Sequence, residues 1–185
     1  HPKWKMGINN SIDSSNFINK VLEIFELSII FNINISKIDF LISREAYVHS
    51  LVSFKDSTIN INCFENDMLI PLIKPLTKKF NSRDLNFKSK KYLDFTNLKL
   101  EVFDDKRFKI SKLLSKIKKF NHNQQISFMI LNNIAHINYL NGKLSYSDIV
   151  DFIFDNIEIR KNMNFRTFHD ILNYIEGLKS KYEFF

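Results

Sequence analysis

Only three glycines, Gly7, Gly142 and Gly177, occur in 185 residues, and that scarcity restricts the fold more than any other feature. A dinucleotide-binding GxGxxG turn and a P-loop both need clustered glycines, because the backbone must approach phosphates closely. Neither can be built from this chain. If a nucleotide cofactor is used, another segment must hold most of it.

Hydrophobic residues make up 44% of the chain, enough to bury a core, and the length suits one domain or two small ones. Asn, Lys, Ile and Phe are abundant, the mixture that AT-rich codons encode, so a single Lys or Asn carries little meaning. A net charge of +7 raises nucleic acid, acidic membrane or anionic substrate as partners. The lysines are spread out, however, with short runs at Lys78-Lys79, Lys88 to Lys91 and Lys116 to Lys119. No Arg-rich arm or aromatic-basic RNA motif accompanies them, so a solvated basic surface is expected and no nucleic-acid partner. The one cysteine, Cys63, excludes an internal disulfide and fits a reducing compartment. No apolar run approaches a membrane span, and no signal peptide is expected. The five histidines (1, 49, 122, 136, 169) show no zinc-ligand spacing, and HExxH is absent.

The pattern predicts an α+β chain in three segments. Residues 1–80 are expected to form a small domain of helix and mixed or antiparallel sheet, 81–105 a linker, and 106–185 an all-α bundle. Pro2 and Gly7 punctuate a loop over 1–11, whose large apolar Trp4 and Met6 suit local packing, while a loop carrying both His1 and Trp4 also suits a lid over a ligand. Phe17, Ile18, Val21, Leu22, Phe25 and Ile29 recur at helical spacing and predict one helix over 13–31, with Asp13 or Ser14 as N-cap. Residues 37–43 predict a strand, and 47–55 with 58–64 a hairpin around Lys55-Asp56-Ser57. A helix containing Pro71 and Pro75 is expected after Met68. Within the linker, Tyr92-Leu93-Asp94-Phe95 and Leu98 are expected to pin a polar stretch to the surface. Helices are predicted at 107–120, 124–141, 147–157 and 165–182, with Ser147 and Asp148 capping the third.

The first helix carries the chemistry. A helix N-terminus offers free N–H groups and a positive dipole end. Ser14 would add a hydroxyl, Asn19 an amide donor, Lys20 a point charge and His1, folded back, one more donor. Together they suit a phosphate. Glu23 lies four residues beyond Asn19, about 6 Å along a helix, roughly the span from a sugar phosphate's phosphate group to its second or third carbon. A carboxylate there could hold a hard divalent cation that chelates substrate oxygens. The same residues also admit a plain reading, Lys20 and Glu23 as a surface i,i+3 pair and Ser14 as a cap.

His1-Pro2-Lys3-Trp4-Lys5-Met6-Gly7, then Ile12-Asp13-Ser14 and Asn19-Lys20-Val21-Leu22-Glu23, resemble the catalytic region of 1-deoxy-D-xylulose 5-phosphate reductoisomerases. Further matches follow in order: Val48-His49-Ser50-Leu51-Val52, Asp67-Met68 with Pro71, Leu93-Asp94-Phe95, and Tyr146-Ser147-Asp148-Ile149. The resemblance implies an NADPH-dependent oxidoreductase and isomerase of the non-mevalonate isoprenoid route, rearranging and reducing a sugar phosphate to 2-C-methyl-D-erythritol 4-phosphate. It implies that His1, Ser14, Asn19 and Lys20 bind substrate, chiefly its phosphate. Glu23 would be a ligand to a divalent metal (Mg, Mn or Co) that also touches substrate. Trp4 and Met6 would form a flap, and Gly7 would lie against NADPH. A homodimer in a bacterial cytoplasm is implied, with a plastid-type organelle as the alternative, and no membrane.

Several departures from the family pattern stand out. Val21 replaces a usual glycine, and Ser43-Arg44-Glu45-Ala46 replaces a usual His-Pro-Gln-Ser. Asn66 replaces a proline before Asp67-Met68, and Met129-Ile130-Leu131-Asn132-Asn133 stands where the family has Asn-Ala-Ala-Asn-Glu. None of these removes a substrate-binding side chain. The family also places a nucleotide-binding domain, two more acidic metal ligands and another phosphate-contacting serine ahead of His1. The chain is therefore expected to be the catalytic-region and C-terminal portion of such an enzyme, inactive without an N-terminal NADPH-binding domain in cis or in trans. A rival expectation is a decayed, non-catalytic paralogue retained as a dimerisation or binding partner through residues 37–64.

Overall fold

The computed structural model describes residues 6–67, 69–73, 98–103, 108–157 and 165–182, the side chains of Lys112 and Leu113 excepted. Helix α1 (Ile8–Ser15) begins inside the stretch expected to be a loop, behind Gly7 at φ −61° and ψ 161°, and buries Ile12 and Asp13. The single helix expected over 13–31 is therefore two. Helix α2 (Ile18–Ile30) starts behind Phe17, whose φ of 65° is left-handed. Asn16 completes the break by accepting the Ile18 N–H on its side-chain oxygen at 3.0 Å. A left-handed Phe costs on the order of 1–2 kcal/mol. Ring packing offsets this, with Phe17 edge-on to Phe108 at 4.6 Å between centroids and stacked near Phe40 at 6.1 Å. Neither Asp13 nor Ser14 caps a helix, because both lie within α1.

Two compact units emerge, Met6–Phe40 with Asp104–Phe185, and Leu41–Phe103. In the first, α2 turns Ile18, Val21, Ile24 and Phe25 inward. The organising element is helix α5 (His122–Leu140), opened by a capping box in which Asn121 accepts the Gln124 N–H and the Gln124 side chain accepts the Asn121 N–H. Its buried positions include Phe128, Leu131, Ile134 and Ala135, a stripe at helical spacing. Phe25 of α2 meets Phe128 edge-on at 5.6 Å. Helix α4 (Ser111–Ile117) precedes α5, and α6 (Ile149–Asn156) and α7 (Phe168–Tyr182) pack against it. Tyr174 of α7 shares a buried hydrogen bond with Ser127 of α5. Asp170 in the first turn of α7 accepts the Arg166 and Thr167 N–H groups, which hold its carboxyl below the usual range. The expected capping of the 147–157 helix by side chains does not occur. A 3-10 turn (Tyr146–Asp148) precedes α6, and Asp148 instead accepts from Ser145 and Ser147 hydroxyls.

In the second unit the expected strand 37–43 contracts to β1 (Leu41–Ile42), since Ile35–Lys37 winds into a 3-10 turn behind Asn34. β1 pairs antiparallel with β4 (Glu101–Val102), a strand absent from the sequence-based reading. The hairpin is as expected: β2 (Val48–Ser53) and β3 (Ile59–Cys63) pair antiparallel, Ser53 opposite Ile59 and Leu51 opposite Ile61. Ser57 takes the left-handed turn position at φ 69°, where glycine is usual. Asp56 supports it by accepting both the N–H and hydroxyl of Thr58. Helix α3 (Leu69–Ile73) carries Pro71 in its first turn, where the missing N–H has no intrahelical partner to lose. Met68, Pro75 and the linker residues 81–97 lie outside the described residues. The class is α+β, with short antiparallel sheets and a helical C-terminal part. Among the described residues no helix is long and apolar enough to cross a membrane.

Candidate functional site

The first turn and a half of α2 brings Asn19, Lys20 and Glu23 together. Spacings of three and four residues place them as neighbours on one helix surface. Glu23 Oε1 accepts from Asn19 Nδ2 at 2.6 Å and from Lys20 Nζ at 3.0 Å, and its Oε2 accepts from Lys20 Nζ at 2.8 Å. The Lys20 and Glu23 side chains remain 41% and 44% exposed, so solvent screens the pair and it contributes only a few tenths of a kcal/mol. Such a pair opens at little cost. An arriving phosphate can take the ammonium and the amide, and a cation can take the carboxylate.

Ser14 stands in the last turn of α1, across the Asn16–Phe17 break from Asn19. The phosphate-suited helix start is thus that of α2, not a start at Asp13 or Ser14. Two of its first N–H groups are already engaged, Ile18 by Asn16 and Lys20 by the Phe17 carbonyl at 3.1 Å. Side chains must therefore supply more of any anion binding than the free helix end does.

A buried polar cluster backs Ser14, and sequence reasoning did not find it. Asp13 Oδ1 accepts from Asn132 Nδ2 at 3.0 Å and from His136 Nε2 at 2.8 Å. All three residues are at least nine-tenths buried. The available signal was faint: Asn132 and His136 lie four apart on one face of α5, amid apolar positions that otherwise read as core. Beside the cluster, Ser15 accepts from the Tyr146 hydroxyl at 2.7 Å and donates to the Ile12 carbonyl.

Of the remaining expected residues, His1 and Trp4 lie outside the described residues. Met6 is half-buried and Gly7 exposed. Among the described residues a Cβ built on Gly7 meets no atom within 4 Å, and its φ of −61° is ordinary. None of the described residues requires glycine there. Glu23 offers hard oxygen donors in a half-exposed position, which suits magnesium or manganese. Among the described residues no group of three His, Cys, Asp or Glu side chains gathers to complete a metal site. Glu23 fits a metal as one ligand among several.

Comparison with known proteins gives a consistent picture. Residues 1–31 match the model of the 1-deoxy-D-xylulose 5-phosphate reductoisomerase C-terminal domain, and residues 65–180 that of the DXP reductoisomerase C-terminal domain. A 1-deoxy-D-xylulose 5-phosphate reductoisomerase of Pseudothermotoga lettingae is 38% identical over 149 residues, 80% of this chain and 41% of its own length. That of Clostridium novyi is 32% identical over 188 residues, all of this chain and 49% of its own length. A DOX-P reductoisomerase solved in complex with NADPH, fosmidomycin and magnesium superposes with a TM-score of 0.80 at 26% identity, over 99% of this chain and 46% of that one. The chain thus spans about half the length of the curated relatives it matches.

Proposed function

The chain belongs to the 1-deoxy-D-xylulose 5-phosphate reductoisomerase family, and we propose that it carries the phosphate-binding part and one metal ligand of that enzyme's active site. The observation that carries this reading is the convergence of Asn19, Lys20 and Glu23 on α2. Lys20 and Asn19 bind the substrate phosphate, joined by Ser14 and His1. Glu23, released from Lys20, is a ligand to a divalent cation (Mg, Mn or Co), with other ligands drawn from a segment beyond this chain. When bound, that cation polarises the substrate's oxygens, and NADPH supplies the hydride. Trp4 and Met6 close over the site as a flap, and Gly7 lies against the cofactor.

The complete reaction converts 1-deoxy-D-xylulose 5-phosphate to 2-C-methyl-D-erythritol 4-phosphate, in a bacterial cytoplasm, and needs an NADPH-binding domain in cis or in trans. The scarcity of glycine supports that need. The exposed apolar hairpin residues Leu51, Val52, Ile59 and Ile61 support a homodimer.

A mixing assay tests this reading. The chain is combined with the amino-terminal half of the Clostridium novyi relative, and NADPH oxidation is followed. Oxidation is expected to require both polypeptides, the sugar phosphate and magnesium, and Glu23→Gln lowers it about a hundredfold. Equal rates for Glu23→Gln and wild type, or turnover by the chain alone, contradict it.

A further inference from the structure

We propose that Asp13, Asn132 and His136 act as a positioning cluster that sets the Ser14 hydroxyl for phosphate binding; this rests on the reading that Ser14 contacts the substrate phosphate. Helix α1 cannot hold Ser14 in place unaided. It has eight residues and no side-chain cap at its N-terminus, well short of the roughly 12–15 residues at which an isolated helix becomes even marginally stable. Its orientation must come from tertiary contacts.

The structure supplies those contacts on both sides of Ser14. On one side, Asp13 faces into α5 and accepts two side-chain hydrogen bonds on a single oxygen, from residues 119 and 123 positions away. A carboxylate oxygen only accepts, so the Nε2 of His136 carries a proton. On the other side, Ser15 is tied to Tyr146. Ser14 lies between two anchored neighbours while its own side chain stays partly exposed. Asp13 is buried, its Oδ1 turned away from solvent onto α5, so it acts through Ser14 rather than by touching substrate.

Burying a carboxylate against two polar partners is a poor way to gain stability, since an apolar trio of similar volume does as well or better. It is a good way to fix one rotational setting, because two donors converging on one oxygen tolerate little displacement. The cluster also fixes α1 relative to α2, as Asn16, which shapes the break between them, follows three residues after Asp13. His136 and Asn132 thereby make α5, a core helix of the unit, part of the substrate site's support.

The test uses the full chain, with 1-deoxy-D-xylulose 5-phosphate as probe and two readouts: its dissociation constant and the amide hydrogen exchange of residues 12–16. His136→Leu removes one donor, His136→Gln retains one, and Tyr174→Phe controls for a general loss of stability between α5 and α7. We expect His136→Leu to speed exchange at residues 12–16 and weaken probe binding, each about tenfold. His136→Gln should recover most of both, and Tyr174→Phe should leave the dissociation constant unchanged. Exchange at residues 12–16 unaltered by His136→Leu overturns the proposal whatever the binding does. Faster exchange with unchanged affinity also overturns it, while a loss of affinity in Lys20→Ala shows that the phosphate-site reading itself survives. A wild-type chain that does not bind the probe even with the amino-terminal half of the Clostridium novyi relative supplied overturns both.

Discussion

Replacing Lys20 with alanine is expected to weaken the binding of 1-deoxy-D-xylulose 5-phosphate by about a hundredfold, equivalent to about 2.7 kcal/mol, and to leave the fold intact. Two effects add with the same sign. The phosphate loses a charge-assisted hydrogen bond, worth about 1.5–3 kcal/mol. Glu23, having lost its ion-pair partner Lys20, would also become a repulsive neighbour of the incoming dianion. Stability should barely move. The residue is half-exposed, its ion pair is weak, and alanine is a better helix former, so the change in unfolding free energy stays within about 0.5 kcal/mol. Lys20→Arg keeps the charge but exchanges a point donor for a planar fork, and recovers part of the affinity. Calorimetric titration beside a thermal melt separates the two quantities. Lost affinity accompanied by a large drop in melting temperature would mean that Lys20 is structural.

Phe128→Ala has the opposite profile, destabilising the first unit by about 3–5 kcal/mol, a large share of the roughly 5–15 kcal/mol that holds a typical domain together. Phe128 is fully buried and meets Phe25 of α2 edge-on, so the cavity opens between α5 and the helix that carries the candidate site. Phe128→Leu leaves a smaller void and costs about 1–1.5 kcal/mol. Urea unfolding measures both, and a Phe128→Ala loss under about 1 kcal/mol would contradict the packing described here. Because α5 also bears Asn132 and His136, Phe128→Ala should loosen substrate binding well before global unfolding.

How far these features could be read from the chain varies with the range of the forces involved. The α+β class and the long α5 follow from apolar spacing, a local property. The hairpin follows from two apolar runs flanking Lys55-Asp56-Ser57. The grouping of Asn19, Lys20 and Glu23 follows from helical spacing alone. The break at Asn16–Phe17 does not, because the apolar stripe continues in phase across it and an aromatic residue rarely takes a left-handed backbone. That break also moved Ser14 from an expected cap to the last turn of α1. Strand β4 is two residues long and too short to show a period. The packing of residues 6–40 with the late helices was hidden for another reason: an inward-facing stripe announces burial without naming its partner. Asp13 read as a cap candidate because nothing near it in sequence pointed to Asn132 and His136 more than a hundred residues away.

Whether the joined ends of α1 and α2 hold a sugar phosphate can be read from an amide-resolved NMR titration of the chain with 1-deoxy-D-xylulose 5-phosphate in the presence of magnesium. Saturable shifts are expected at Ser14, Asn19, Lys20 and Glu23, abolished by Lys20→Ala. Shifts confined to the β2–β3 hairpin, or none at those four residues at saturating ligand, would contradict that reading.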